Sequence, residues 1–156
     1  GGIKRAQIFR ELLAARTRSD VELAFVEKRR AKGVVASGLL AGEITGRNAI
    51  VLDDLCATGG TLIRAADACL SAGAQSVHAA VTHTPLAEGL ESLLAAEAIS
   101  GILATDSVGI DFPGVHSAAV QGKLVTLPVA PLIAQAIRRM AAGTPVAPLL
   151  EDWPPR

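Results

Sequence analysis

Two adjacent carboxylates followed by a glycine-bearing loop are the part of this 156-residue sequence best suited to binding a ligand. Asp53 and Asp54 end an apolar run, and the loop after them contains Ala57, Thr58, Gly59, Gly60 and Thr61. Because glycine has no side chain, backbone N–H groups in such a loop can approach a ligand closely. A helix that begins near Thr61 would point its positive end at the same place. The pattern therefore predicts a phosphate-binding loop beside carboxylates that can accept hydrogen bonds from sugar hydroxyls or hold a hydrated Mg²⁺.

An ordinary turn between a strand and a helix, capped by Asp or Thr, is the alternative explanation of this segment. Two consecutive aspartates together with Thr-Gly-Gly-Thr exceed what a cap requires, so we favour a ligand site. The segment lacks the Gly-Lys-Ser/Thr ending of a P-loop and the three-glycine spacing of a dinucleotide-binding loop. Neither of those nucleotide-binding motifs is therefore predicted.

The composition indicates one domain with an aliphatic core. Half of the residues are apolar but only 3% are aromatic, so alanine, valine, leucine and isoleucine must fill the core. Fifteen acidic residues balance 15 basic residues, which gives no support to a protein that binds nucleic acid or a membrane surface. Two cysteines are too few for a disulfide scaffold or a zinc site, and reduced thiols in a cytoplasm are the default expectation.

Hydrophobic periodicity predicts strands that alternate with helices. Helical patterns lie at 4–16, 61–72, 88–96 and 131–140, and strand patterns lie at 21–25, 49–52, 77–82, 101–105 and 124–127. The run at 49–52 predicts a central strand covered on both faces, and 27–42 predicts a long, mobile basic loop or an irregular hairpin. Together these elements predict an α/β fold with a doubly wound parallel sheet and an irregular tail at 145–156. Ligands of such sheets bind beyond the carboxyl ends of the strands.

The segment Asp53–Thr61 resembles the phosphoribosyl-binding loop of type I phosphoribosyltransferases and of ribose-phosphate pyrophosphokinases. The flanking sequence favours the pyrophosphokinases. Segments that resemble landmarks of that family, in the same order, are Gly1–Ala6, Glu27–Arg30, Gly42–Arg47, Ala80–Leu86, Thr105–Val108 and Ala134–Arg139. The resemblance covers almost the whole chain, but only the second half of a typical two-domain family member.

The resemblance implies a single domain over 1–156 with a type I phosphoribosyltransferase-like fold. The family reaction transfers the diphosphoryl group of ATP, with Mg²⁺, to the 1-hydroxyl of ribose 5-phosphate and releases AMP. By resemblance, Asp53 and Asp54 would bind the ribose hydroxyls, Ala57–Thr61 would bind the 5-phosphate, and Lys28 and Arg30 would be the catalytic cations. The family's nucleotide and metal ligands belong to the N-terminal half, so no metal ligand is expected in this chain. The resemblance also implies a cytoplasmic homo-oligomer, and no activity from this fragment alone.

Departures from the family pattern leave alternatives open. Ala57 stands where the pyrophosphokinases usually carry Asp, which favours a non-catalytic regulatory homologue, whereas the retained Lys28 and Arg30 oppose that interpretation. A phosphoribosyltransferase that acts on a base is a further alternative, but no additional segment is long enough to form a base-binding hood. The charge run at 27–30 is also typical of a solvated surface patch, and His83 suits packing as well as a functional role.

Overall fold

Strands and helices alternate along most of the chain. The structure, a computed structural model, describes residues 2–26, 29–31, 34–36, 40–85, 87–109 and 117–150. Its helices are α1 (Gly2–Thr17), α2 (Gly60–Ser71), α3 (Ala87–Ala95), α4 (Ala118–Lys123) and α5 (Ala130–Ala141). Its strands are β1 (Phe25–Val26), β2 (Arg29–Ala31), β3 (Val34–Ala36), β4 (Leu40–Ala41), β5 (Asn48–Leu55), β6 (Ser76–His83), β7 (Gly101–Thr105) and β8 (Leu124–Leu127).

Strands β5, β6, β7 and β8 form one parallel sheet in that order. Alternate residues of β6 and β7 are buried on one face, and α2 and α3 pack with them. The resulting core contains Leu62, Ala66, Cys69, Val77, Ala79, Val81, Leu90, Leu93, Ile102 and Ala104. The predicted α/β fold with a parallel sheet is therefore confirmed.

The strand that carries the two aspartates, β5, is the outer strand of this sheet rather than the predicted central one. Ile50 keeps 44% of its surface exposed, so the prediction of a strand covered on both faces is wrong. The physical reason is that β1 pairs antiparallel with β4 instead of extending the sheet beside β5. Because β5 runs parallel to β6, its carboxyl end still lies at the same sheet edge as that of β6.

The segment before β5 contains one helix and two short antiparallel pairs. Helix α1 confirms the predicted helix at 4–16. The predicted strand at 21–25 is wrong except at Phe25, because residues 21–24 form no ladder and Arg47 pairs with the neighbouring carboxylates of Asp20 and Glu22. Strand β2 pairs antiparallel with β3, which confirms the hairpin alternative for 27–42 where the structure describes that segment.

The ends of the helices follow local signals in most places. Gly73 lies just beyond the end of α2, with a left-handed φ of 90° and its N–H donating to the Leu70 carbonyl at 2.9 Å. Leu70 is 38% exposed, because it lies at the margin of the buried helix face.

Two further differences concern the C-terminal part. Helix α4 was not predicted, because six residues are too few to show a helical period. The tail predicted as irregular contains a 3₁₀ helix at Ala147–Leu150, and residues 151–156 lie outside the described part of the chain. Among the described residues, no helix combines the length and the apolar character that crossing a membrane requires.

Candidate functional site

The two aspartates and the loop lie together at the carboxyl edge of the sheet, as predicted. Asp53 and Asp54 are on β5, and α2 begins at Gly60, immediately after the loop. The Cys56 N–H donates to the His83 carbonyl at 2.8 Å, which continues the β5–β6 pairing into the loop. The start of the loop is therefore fixed to the end of the neighbouring strand.

The start of α2 is not closed by a side-chain cap. Gly59 occupies the N-cap position with a left-handed φ of 76°, and no side-chain hydrogen bond is made there. The Ile63 N–H donates to the Gly59 carbonyl at 3.0 Å, which is the first bond of the helix ladder. The backbone N–H groups ahead of Ile63 have no acceptor within the helix, so they can bind an anion at the positive helix end. This geometry contradicts the alternative of an ordinary turn capped by Asp or Thr.

Helix α3 presses on the same loop through Gly89. A Cβ atom at Gly89 would lie 2.4 Å from the Ala57 carbonyl oxygen and 2.9 Å from that of Cys56. A Cβ at Gly59 would lie 3.0 Å from the Gly89 carbonyl oxygen. The two glycines therefore allow a backbone-to-backbone contact that fixes the loop. Sequence reasoning missed Gly89, because the contact depends on how α3 packs and leaves no local signal.

The side chains of Asp53 and Asp54 leave β5 on opposite faces, because successive strand residues alternate. Asp53 lies in register with buried Val81, and its Oδ1 accepts the Asp54 N–H at 2.9 Å. Asp54 Oδ2 accepts a hydrogen bond from Arg5 Nη1 of α1 at 2.8 Å. This guanidinium holds the pKa of Asp54 below its usual value. Arg5 belongs to the family landmark Gly1–Ala6, but the local sequence predicts no role for it.

Cys56 fills space beneath the loop. It is only 2% exposed, and this burial raises the pKa of its thiol, so the neutral form is favoured. Its burial is that of a small apolar side chain filling space. Cys69 in α2 is also buried.

The ends of β6 and β7 place further polar groups at the same edge. His83 Nδ1 lies 2.7 Å from Ser107 Oγ, so its ring is held by a neighbour on the next strand connection. Thr84 is 4% exposed, and its hydroxyl has no hydrogen-bond partner among the described residues. The hydrogen bond to Ser107 thus holds the exposed His83 ring at this edge.

Comparison with known proteins identifies the family. The sequence model of the phosphoribosyl synthetase-associated domain matches residues 20–150. The chain belongs to this family. Ribose-phosphate pyrophosphokinases of Maricaulis maris and Ralstonia nicotianae are 39% and 34% identical over 152 and 153 residues, or 97% of the chain. The chain covers 46% and 45% of these two relatives, so it spans less than half of their length.

A solved structure supports the same assignment. The crystal structure of phosphoribosylpyrophosphate synthetase from Mycobacterium smegmatis matches this chain with a TM-score of 0.64 and 25% sequence identity. The match covers 86% of this chain and 42% of that chain. The phosphoribosyltransferase-like fold class expected from the sequence is therefore confirmed.

The structure does not describe the side chains of Lys28 and Arg30, the cations predicted to act in catalysis. Lys28 lies outside the described residues. Arg30 is described only as part of β2, where its backbone is in register with Val35. Their roles in this member of the family remain predictions.

The described residues do not fit a resident Mg²⁺ site. No group of three or more His, Cys, Asp or Glu side chains converges in the part of the chain that the structure describes. The guanidinium of Arg5 lies against Asp54 and would repel a divalent cation there. The carboxylates are therefore better suited to hydroxyl donors than to a metal ion.

Proposed function

We propose that this chain is the ribose 5-phosphate-binding half of a ribose-phosphate pyrophosphokinase. The observation that carries the proposal is the uncapped start of α2, with a left-handed Gly59, in the loop that follows the adjacent aspartates Asp53 and Asp54. An anion site next to hydrogen-bond acceptors matches a sugar phosphate, which carries both a phosphate and hydroxyl donors. The names of the Maricaulis maris and Ralstonia nicotianae relatives agree with this substrate class.

In this proposal the 5-phosphate binds to the backbone of Ala57–Thr61. Asp53 and Asp54 accept hydrogen bonds from the 2- and 3-hydroxyls of the ribose. Ala57 lacks the carboxylate that is usual at this position, but it keeps its backbone N–H, so phosphate binding does not depend on its side chain.

The proposed reaction is the attack of the ribose 1-hydroxyl on the β-phosphorus of ATP, which enters as its Mg²⁺ complex. The bond between the α- and β-phosphates breaks, AMP leaves, and the diphosphoryl group becomes attached to the sugar. Lys28 and Arg30 would stabilise the negative charge that develops on the transferred group. The nucleotide-binding groups would come from a second half like that of the relatives. A cytoplasmic homo-oligomer completes the proposal, on family resemblance alone.

Calorimetry on the 156-residue chain tests the binding step. Gly60→Val is the best variant, because a Cβ at Gly60 meets only the flexible Arg64 guanidinium, at 3.1 Å, so the fold should survive. This variant should lower the affinity for both ribose 5-phosphate and inorganic phosphate by at least ~10-fold, because the valine side chain lies over the N-terminus of α2. Gly122→Val is the matched control, since a Cβ there meets nothing within 4 Å. Failure of the unaltered chain to bind ribose 5-phosphate would refute the proposal.

A chimera tests the catalytic step. The N-terminal half of the Maricaulis maris enzyme, joined to this chain, should release AMP from ATP and ribose 5-phosphate. Lys28→Ala and Arg30→Ala should each lower turnover by ~100-fold or more, with little change in ribose 5-phosphate binding. A chimera that binds ribose 5-phosphate but releases no AMP would instead favour the regulatory homologue.

A further inference from the structure

One ion pair joins the first helix to the sugar side of the site. Arg5 Nη1 donates to Asp54 Oδ2 at 2.8 Å, across 49 residues of sequence. The side chains are 63% and 49% exposed, respectively, so the pair lies at the surface. An exposed pair of this kind contributes little to folding stability. A contact with little structural benefit that ends on a proposed substrate ligand points to a role in binding.

The contacts at the two aspartates leave a defined set of acceptors. Asp53 Oδ1 is engaged by the Asp54 N–H, and Asp54 Oδ2 is engaged by Arg5. A carboxylate has about four lone-pair sites, so each of these groups can accept a sugar hydroxyl in addition to the contact named. Each carboxylate is thus held by one donor and can still accept another.

The charged group that holds the Asp54 side chain comes from outside its own strand. Asp54 points to the sheet face opposite to α2, because Asp53 lies in register with Val81 on the buried face. On β5 alone the exposed Asp54 side chain would be free to rotate, and a ligand would have to order it. The guanidinium from α1 removes that freedom and keeps the carboxylate ionised.

We propose that Arg5 is a positioning residue for sugar recognition, holding the Asp54 carboxylate so that it accepts a ribose hydroxyl. This inference rests on the proposed function. It predicts a separation between two ligands: ribose 5-phosphate uses both the loop and the carboxylates, whereas inorganic phosphate uses the loop only. Loss of Arg5 should therefore weaken the binding of ribose 5-phosphate more than the binding of inorganic phosphate.

Calorimetry with both ligands on the 156-residue chain tests this separation. Arg5→Gln should lower the affinity for ribose 5-phosphate by ~3–10-fold more than the affinity for inorganic phosphate. Arg5→Lys should recover part of the loss, because the observed contact uses a single nitrogen. Arg10→Gln is the control, since Arg10 also lies on α1 but pairs with Glu11 at 3.5 Å. This control should leave the ratio of the two affinities unchanged.

A double-mutant cycle separates positioning from a general charge effect. In an Asp54→Asn background, Arg5→Gln should have no further effect on the ratio of the two affinities, because the side chain that Arg5 holds has lost its charge. The assignment would be overturned if Arg5→Gln left the ratio of the two affinities unchanged or bound ribose 5-phosphate more tightly. It would also be overturned if Arg5→Gln had its full effect on that ratio in the Asp54→Asn background. If ribose 5-phosphate fails to bind the unaltered chain, the proposed function and this assignment both fall. If it binds and only the Arg5 results fail, the proposed function stands.

Discussion

Replacing Gly89 by alanine should force α3 and the phosphate loop apart. The added Cβ would lie 2.4 Å from the Ala57 carbonyl oxygen, and the nearest atoms are backbone, which cannot rotate away. The two segments must separate by at least about 0.6 Å before this contact reaches 3.0 Å, the shortest that real Cβ atoms show. The movement falls on the part of the loop that we propose for the 5-phosphate.

The energetic effect has two opposing parts. Overpacking a tight contact costs about 1–3 kcal/mol. Gly89 lies within α3, where the change from glycine to alanine returns about 1 kcal/mol of helix propensity. The expected net result is a loss of about 0–2 kcal/mol in the free energy of unfolding, because the gain offsets part of the overpacking cost. Gly122→Ala in α4 is the matched control: its Cβ meets nothing within 4 Å, so only the gain of up to about 1 kcal/mol remains.

Urea unfolding of the two variants and of the unaltered chain measures the difference. Ribose 5-phosphate and inorganic phosphate should both bind more weakly to Gly89→Ala, because the shared loop moves. The binding measurement matters, since a variant that lost stability without losing affinity would show that the loop tolerates the shift. If Gly89→Ala is as stable as Gly122→Ala and binds both ligands normally, the inferred contact between α3 and the loop is wrong.

Two further predictions concern polar side chains, one buried and one half-buried. Thr84→Val should raise the free energy of unfolding by about 1 kcal/mol, because the buried hydroxyl lacks a hydrogen-bond partner among the described residues; a loss in urea unfolding would show that it has one. Lys123→Met should lower it by about 1–2 kcal/mol, because Nζ donates to the carbonyls of Leu94 and Ala96, both at 2.8 Å, at the end of α3. A Lys123→Met variant with unchanged thermal unfolding would contradict that role.

Local patterns predicted the elements that depend on neighbouring residues. The alternation of Val77, Ala79 and Val81 corresponds to the buried face of β6. Gly73 ended α2 because a left-handed residue is needed at that point. The start of α2 directly after the loop also followed from local sequence, whereas the contact with Gly89 that fixes the loop did not.

Features that depend on distant residues could not be predicted in the same way. The position of β5 at the sheet edge depends on β1, which pairs with β4 instead of with β5. An apolar run such as 49–52 is equally compatible with a central strand and with an outer strand that has one exposed face. The contact between Arg5 and Asp54 spans 49 residues, and no periodicity records which side chains such a separation brings together.

The departure from the family at Ala57 can now be judged from its surroundings. The side chain of Ala57 is exposed, and its backbone is the part that contacts α3, through the close approach of Gly89. A change of side chain at this position therefore leaves untouched the contact that fixes the loop. The backbone N–H groups proposed for the phosphate depend on that contact and on the start of α2, and neither requires a carboxylate at position 57. Ala57 therefore removes any water or metal contact that the carboxylate of the family's Asp makes. It gives no structural reason to expect loss of the phosphate site.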